Sequence, residues 1–217
     1  MKKYLGILGG FLGSLLLLTG CSFAAKLEYD SADAAKEALN TAETVTFRCD
    51  LEDADAADNL RADGKVAGYV ENKGIINSRW IVSVDDVTWF YARYVTDEPI
   101  NNVEGVKSGS TYGFYDSNDQ CLGYAQERVS DGGYWERVFL DADGSEKGYY
   151  ADEDCTVIYD GDGNVLVKAK GTREFVGAYG NIEITSTESG RQIEFMDKMA
   201  LLIHIYDDMK NDYLYYE

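Results

Sequence analysis

The chain has 217 residues, of which 39 are Asp or Glu and 20 are Lys or Arg, giving a net charge near −19 at pH 7. A surface this acidic repels phosphate backbones and anionic lipid head groups, which argues against a nucleic-acid partner and against electrostatic binding to a bilayer. One proline, 22 glycines and 17 tyrosines describe a strand-rich folded domain rather than a disordered segment.

In chain order the first feature is a leader. Lys2 and Lys3 give a positive start, Tyr4 to Leu18 are uncharged and mostly apolar, and Thr19-Gly20 are small. The apolar run contains Gly6, Gly9, Gly10 and Gly13 and is shorter than the ~18–20 residues a spanning helix needs. Leu18-Thr19-Gly20-Cys21 resembles the bacterial lipobox. The resemblance implies a diacylglycerol thioether on Cys21, removal of residues 1–20, and anchorage by lipid on the outer face of the bacterial cell membrane. Loss of Lys2 and Lys3 leaves 18 basic residues against 39 acidic ones, a net charge of −21. Membrane affinity then falls to the acyl chains, at ~0.8 kcal/mol per buried CH₂.

Residues 21–29 read as a tether, and 30–217 as one β-rich domain with a possible subdivision near 100–110. Asp30 or Ser31 is a helix N-cap, and Ala34, Ala35, Ala38, Leu39 and Ala42 recur at helical spacing, which predicts a helix over 32–42. Val45–Cys49 has strand character. Asp50, Glu52, Asp53, Asp55 and Asp58 crowd residues 50–59, which read as an acidic solvated loop or short exposed helix. Trp80–Val84 and Val87–Val95, separated by Asp85-Asp86, predict a hairpin, and 99–110 reads as a loop.

One irregular repeat follows. Phe114-Tyr115-Asp116-Ser117-Asn118-Asp119, Phe139-Leu140-Asp141-Ala142-Asp143-Gly144 and Ile158-Tyr159-Asp160-Gly161-Asp162-Gly163 each place two apolar residues before an Asp-centred turn. A fainter copy, Leu60-Arg61-Ala62-Asp63-Gly64, stands upstream. Gly123-Tyr124, Gly148-Tyr149 and Gly68-Tyr69 follow three of these turns. Asp at the first position can accept a backbone N–H two residues on, and Gly supplies positive φ, so the repeat reads as hairpins in a meander. The glycines inside the departing strands read as bulges or close backbone approaches. EF-hand spacing fails, because Gly144 stands at position 4 from Asp141 and Gly171 at position 12 from Asp160.

Phe195, Met199, Leu202, Tyr206 and Met209 fall on one face of a final helix over 194–210, and Tyr213, Tyr215 and Tyr216 form an aromatic tail. His204, the only histidine, stands in the most apolar part of that helix and reads as a core residue. Cys49, Cys121 and Cys155 are too few for more than one disulfide, lack a Cys-x-x-Cys pair and, with a single histidine, do not suggest zinc. No nucleophile-elbow, phosphate-loop or zinc-protease motif is present. Catalytic, cofactor-binding and metal residues are therefore all read as none. Trp80, Trp89 and Trp135 are either core or stacking residues for a sugar or peptide.

Residues 111–217 resemble the LURP-one-related, tubby-C-like proteins through Tyr115-Asp116, Leu140-Asp141-Ala142-Asp143-Gly144, Tyr159-Asp160-Gly161-Asp162-Gly163 and apolar Ala200–Tyr206. That likeness implies a β-barrel around a central helix and a binding or membrane-associated scaffold. Against it, Asp197, Lys198, His204, Asp207 and Asp208 put more charge on the final helix than a threaded helix should bear. The residues themselves predict an α+β, β-rich fold: an antiparallel hairpin meander, as a sheet or open barrel of roughly eight to ten strands, with a short N-terminal and a longer C-terminal helix packed on it. The expected role is a lipid-anchored, non-catalytic binding or envelope-scaffold protein with an unidentified protein or glycan partner. The alternatives are a carboxylate-dependent envelope hydrolase acting on glycan and a cation- or small-molecule-binding lipoprotein.

Overall fold

Strand-forming runs broken by Asp-Gly chemistry produce a continuous antiparallel meander. A computed structural model describes residues 26–53, 56–73, 79–84, 87–96, 100, 108–130, 132–173 and 179–210, with Trp80 and Ser108 described by backbone alone. The leader with Cys21, the turn Asp85-Asp86 and the tyrosine tail lie outside the described residues.

The elements are α1 (Ala32–Thr41), β1 (Thr44–Asp50), β2 (Asp58–Ala62), β3 (Lys65–Lys73), β4 (Arg79–Val84), β5 (Val87–Thr96) and β6 (Ser108–Asp116). There follow β7 (Cys121–Val129), β8 (Trp135–Leu140), β9 (Glu146–Ala151), β10 (Val157–Asp160), β11 (Val165–Arg173), β12 (Tyr179–Ser186), α2 (Glu188–Arg191) and α3 (Phe195–Met209). Each strand pairs with the next, and β1 closes the ring on β12 from Thr44↔Thr185 to Asp50↔Tyr179. The β-rich meander with a short N-terminal and a longer C-terminal helix is as expected, and the four-residue α2 is an addition. Its twelve strands form a closed barrel, exceeding the eight to ten expected of a sheet or open barrel, and closure removes both unpaired edges.

Antiparallel order puts every second connection at the same end. The end where β1 begins, here the lower end, carries the β2–β3, β4–β5, β6–β7, β8–β9 and β10–β11 hairpins, and the Asp-centred repeat is four of these turns. Asp116 accepts N–H groups from Asn118 and Gln120 at 2.8 and 2.9 Å, and Asp160 accepts those of Asp162 and Asn164 at 3.0 and 2.8 Å. The Gln120 N–H foremost for Asp116, and for Asp160 the Asn164 side-chain amide followed by its backbone N–H, hold both carboxyls below the usual range. Gly64, Gly144 and Gly163 have φ of 85°, 86° and 82°, which L side chains resist.

All five lower hairpins also shift register near the turn, at Leu60/Arg61, Val82/Ser83, Phe114/Tyr115, Val138/Leu140 and Ile158/Tyr159. Bulges of this kind increase local twist and curl, which helps the meander close. Gly123 marks a close approach as well, since a Cβ there would lie 2.2 Å from the Leu140 carbonyl oxygen.

Twelve strands enclose more than side chains can fill, and α3 occupies the lumen. Every residue from Lys198 to Tyr206 is buried, so the helix lies inside the barrel rather than packed on one face of a sheet. It enters at the lower end, where the Phe195 ring stands 6.1 Å from Trp89 of β5, and rises past Phe139 of β8 and Phe47 of β1. Burying Leu201, Leu202, Ile203 and Ile205 contributes roughly 1.5–3 kcal/mol each before chain entropy is counted.

The charges on α3 find partners. Asp197 pairs with Lys147, Lys198 donates to the Asn40 carbonyl at 2.7 Å, and Asp208 lies 3.3 Å from Arg137. Beyond the helix end, Lys210 reaches Asp58 at 2.5 Å.

The helix α1 covers part of the lower end with Ala35 and Leu39 buried, and Ser31 caps it by accepting the Ala34 N–H at 3.1 Å. The last residues of the expected tether are docked there too. Glu28 N–H donates to the Val66 carbonyl at 2.9 Å, the Glu28 carboxylate accepts the Val66 N–H at 2.6 Å, and Tyr29 donates to the Ala62 carbonyl at 3.0 Å. The chain therefore joins the barrel from its lower end.

Candidate functional site

The upper end of the barrel carries the longer connections and gathers side chains that the sequence scatters. Alternation along β8 points Phe139, Arg137 and Trp135 to one face, and the first of these touches His204 with ring centroids 5.6 Å apart. Arg137 follows one step higher, bridging Glu127 of β7 at 2.7 Å and Asp208 of α3 at 3.3 Å. Glu127 is itself fixed by the Ser110 backbone N–H at 3.0 Å. On the neighbouring strands Tyr94 and Tyr112 stand edge to face, and Tyr112 is pushed up to about 12 by burial and then by Asp207. Trp135 is 42 % exposed and Tyr134 72 % exposed at this rim.

Beneath the rim, Cys155 from the β9–β10 turn places Sγ 3.4 Å from His204 Nε2, and Asp208 Oδ2 lies 3.8 Å from the same nitrogen. The three ligand-type atoms all lie within 4.8 Å of one another. Cys155 and His204 are buried and Asp208 is partly buried. The turn holding Cys155 is tied by Asp152, whose carboxylate accepts the Thr156 and Val157 N–H groups at 2.8 and 3.0 Å.

Burial, with Arg137 adding to it, drives His204 well below its ordinary range, so the imidazole is neutral at pH 7. Burial and then Asp208 push the Cys155 thiol up. A thiol nucleophile needs the opposite shift, and a catalytic triad needs its carboxylate on the second imidazole nitrogen. Here thiol and carboxylate face one nitrogen. This is not the arrangement of a Cys-His-Asp triad.

A second buried group lies at the other side of the helix tip. Asp58, which the sequence placed in an exposed acidic stretch, begins β2 with its side chain fully buried. It accepts hydrogen bonds from the Tyr206 hydroxyl, the Lys210 ammonium and the Asp50 backbone N–H. The neighbouring Asp50 folds back on its own loop, accepting from Glu52 and Asp53 at 2.9 and 3.2 Å.

The tryptophans do not converge. Trp89 packs against Phe195 at the lower end, Trp135 is at the upper rim, and the Trp80 side chain is outside the described residues. Cys49, Cys121 and Cys155 are all unpaired thiols. A cavity of about 10 Å³, lined by Phe114, Leu140, Met196 and the Lys147–Asp197 pair, has about the room of one water. Among the described residues, no helix is long and apolar enough to cross a membrane.

Sequence reading missed the meeting of Cys155 with His204 and Asp208. The one local signal was the His204–Asp208 spacing of four on a helix, which puts both on one face. Nothing local links residue 155 to residue 204.

These features define a closed antiparallel barrel wrapped around an internal helix, with polar and aromatic side chains gathered at its upper end among the described residues. No family model, curated protein or solved structure matches the chain.

Proposed function

We propose that the chain is an extracytoplasmic lipoprotein, held to the outer face of the bacterial membrane by lipid on Cys21, with a binding or envelope-scaffold role. The observation that carries this reading is the polarity of the barrel. Glu28 and Tyr29 dock at the lower end, whereas the exposed aromatics Tyr94, Tyr134, Trp135 and Tyr179 stand at the upper end. An anchor at Cys21 would leave the upper end facing away from the lipid, where Tyr and Trp offer large contact area to a protein or glycan.

The barrel closed around α3 is also what supports the likeness to LURP-one-related, tubby-C-like proteins, and we read the chain as a relative of that group. The hydrolase alternative draws little from the carboxylates. A general acid must be held above the ordinary range, and the turn residues Asp116, Asp143 and Asp160 are held below it by hydrogen bonds.

Growth with labelled palmitate tests the anchor. Wild-type protein should carry label and sediment with membranes, and Cys21→Ser should do neither. Unlabelled wild-type protein released in soluble form would overturn the reading.

A further inference from the structure

We propose that Cys155, His204 and Asp208 form a three-residue site for a divalent transition-metal ion of the zinc type. The donor set is one thiol, one imidazole and one carboxylate, which together suit a borderline-soft tetrahedral ion. Zinc bonds of roughly 2.0–2.3 Å to these atoms give tetrahedral edges of roughly 3.4–3.6 Å. The 3.4 Å from sulfur to Nε2 is close to such an edge, the 3.8 Å from Nε2 to Oδ2 is about 0.4 Å longer than one, and all three donor atoms lie within 4.8 Å of one another. Three protein donors leave a fourth position for water or a ligand.

Two further observations support the site. Cys155 has φ of 51°, a left-handed backbone that costs a residue with a Cβ roughly 1–2 kcal/mol, so the turn holds a thiol where glycine would be relaxed. The surroundings are also rich in carboxylates, since Asp208 and Glu127 share the guanidinium of Arg137. Asp152 and Asp207, near Cys155 and Tyr112 respectively, add negative potential. Arg137 opposes the ion at Asp208, and Glu127 engages the same guanidinium nitrogen more closely, at 2.7 Å against 3.3 Å.

Binding breaks the Cys155 S–H bond, forms a sulfur–metal bond and releases one proton to solvent for each ion, with no change of oxidation state. Asp208 and Arg137 keep 18 % and 15 % of their side chains exposed, so the carboxylate edge of the site is the part that solvent reaches. The site does not depend on the lipid anchor, and failure of either proposal leaves the other standing.

The test is titration of Co²⁺ into the reduced, chelator-treated full chain in detergent. One equivalent should produce a near-ultraviolet sulfur-to-cobalt charge-transfer band with intense visible absorption, release one proton and be displaced by Zn²⁺. Cys155→Ser should lose the band, and Asp208→Asn should weaken binding tenfold or more. A spectrum no different from hydrated Co²⁺ would overturn the proposal, because the 39 acidic residues can collect cations weakly without a thiolate. A band that survives in Cys155→Ser would overturn it equally.

Discussion

Asp58→Ala is the sharpest probe of how the helix is held in the barrel. The Asp58 and Lys210 side chains are 0 % and 2 % exposed and meet at 2.5 Å. Asp58 also accepts the Tyr206 hydroxyl, and the Asp50 N–H at 2.8 Å. Removing the carboxylate takes away the buried ammonium's ion-pair partner, which costs ~3–5 kcal/mol, and it removes the acceptor of two further donors. For a domain of this size each kcal/mol lowers Tm by about 2–4 °C, so a fall of roughly 10 °C is expected. Asp58→Leu combined with Lys210→Met removes both charges and replaces them with apolar bulk. That pair should cost less than Asp58→Ala alone, because no unpaired charge remains. Guanidinium unfolding followed by circular dichroism measures all three proteins. A cost below ~1 kcal/mol for Asp58→Ala would place its carboxylate in water and refute the burial of the helix tip.

Lys198 supplies a pH signature. Burial, with Arg191 adding to it, lowers this lysine to about 8, so the folded state sheds its proton before the unfolded state does. Between pH ~8 and the unfolded value near 10.4, the unfolded chain binds more protons and stability from this group rises with pH. Lys198→Met should therefore stabilise most at neutral pH, with the gain shrinking through that window; a gain independent of pH would count against the charged burial. Thiol reactivity gives a second check. Half-buried Cys121 should react with a disulfide reagent in the native protein, while buried Cys49 and Cys155, whose thiols are pushed up by burial, should react only on unfolding. Rapid native reaction of three thiols would contradict the packing around α3.

The local elements were legible because their causes are local. Ser31 caps α1, the Asp-Gly turns close their hairpins, and the apolar run through Ala200–Tyr206 marks a buried helix, all from residues within a few positions of one another. Some of the bulges were marked too, by glycines such as Gly68 and Gly123 set into departing strands, whereas those of β4–β5 and β10–β11 carry no glycine. What residue order could not supply was closure. The pairing of β1 with β12 joins residues such as Thr44 and Thr185, and no periodicity connects segments that far apart.

Closure in turn decided the chemistry. Asp58 reads as one more acid in an acidic stretch until Lys210 is brought against it through the lumen, and the charges on α3 look excessive until Lys147, Asn40 and Arg137 meet them. His204 was legible as a core residue, but the thiol of Cys155 reaches it only because β9 and β10 curve around the helix. The sequence alone determined the turns, the helices and the lipobox likeness of Cys21, since each rests on neighbouring residues. Tertiary structure alone decided which charges are buried and which donors converge, because burial and convergence belong to the closed barrel and to no single strand.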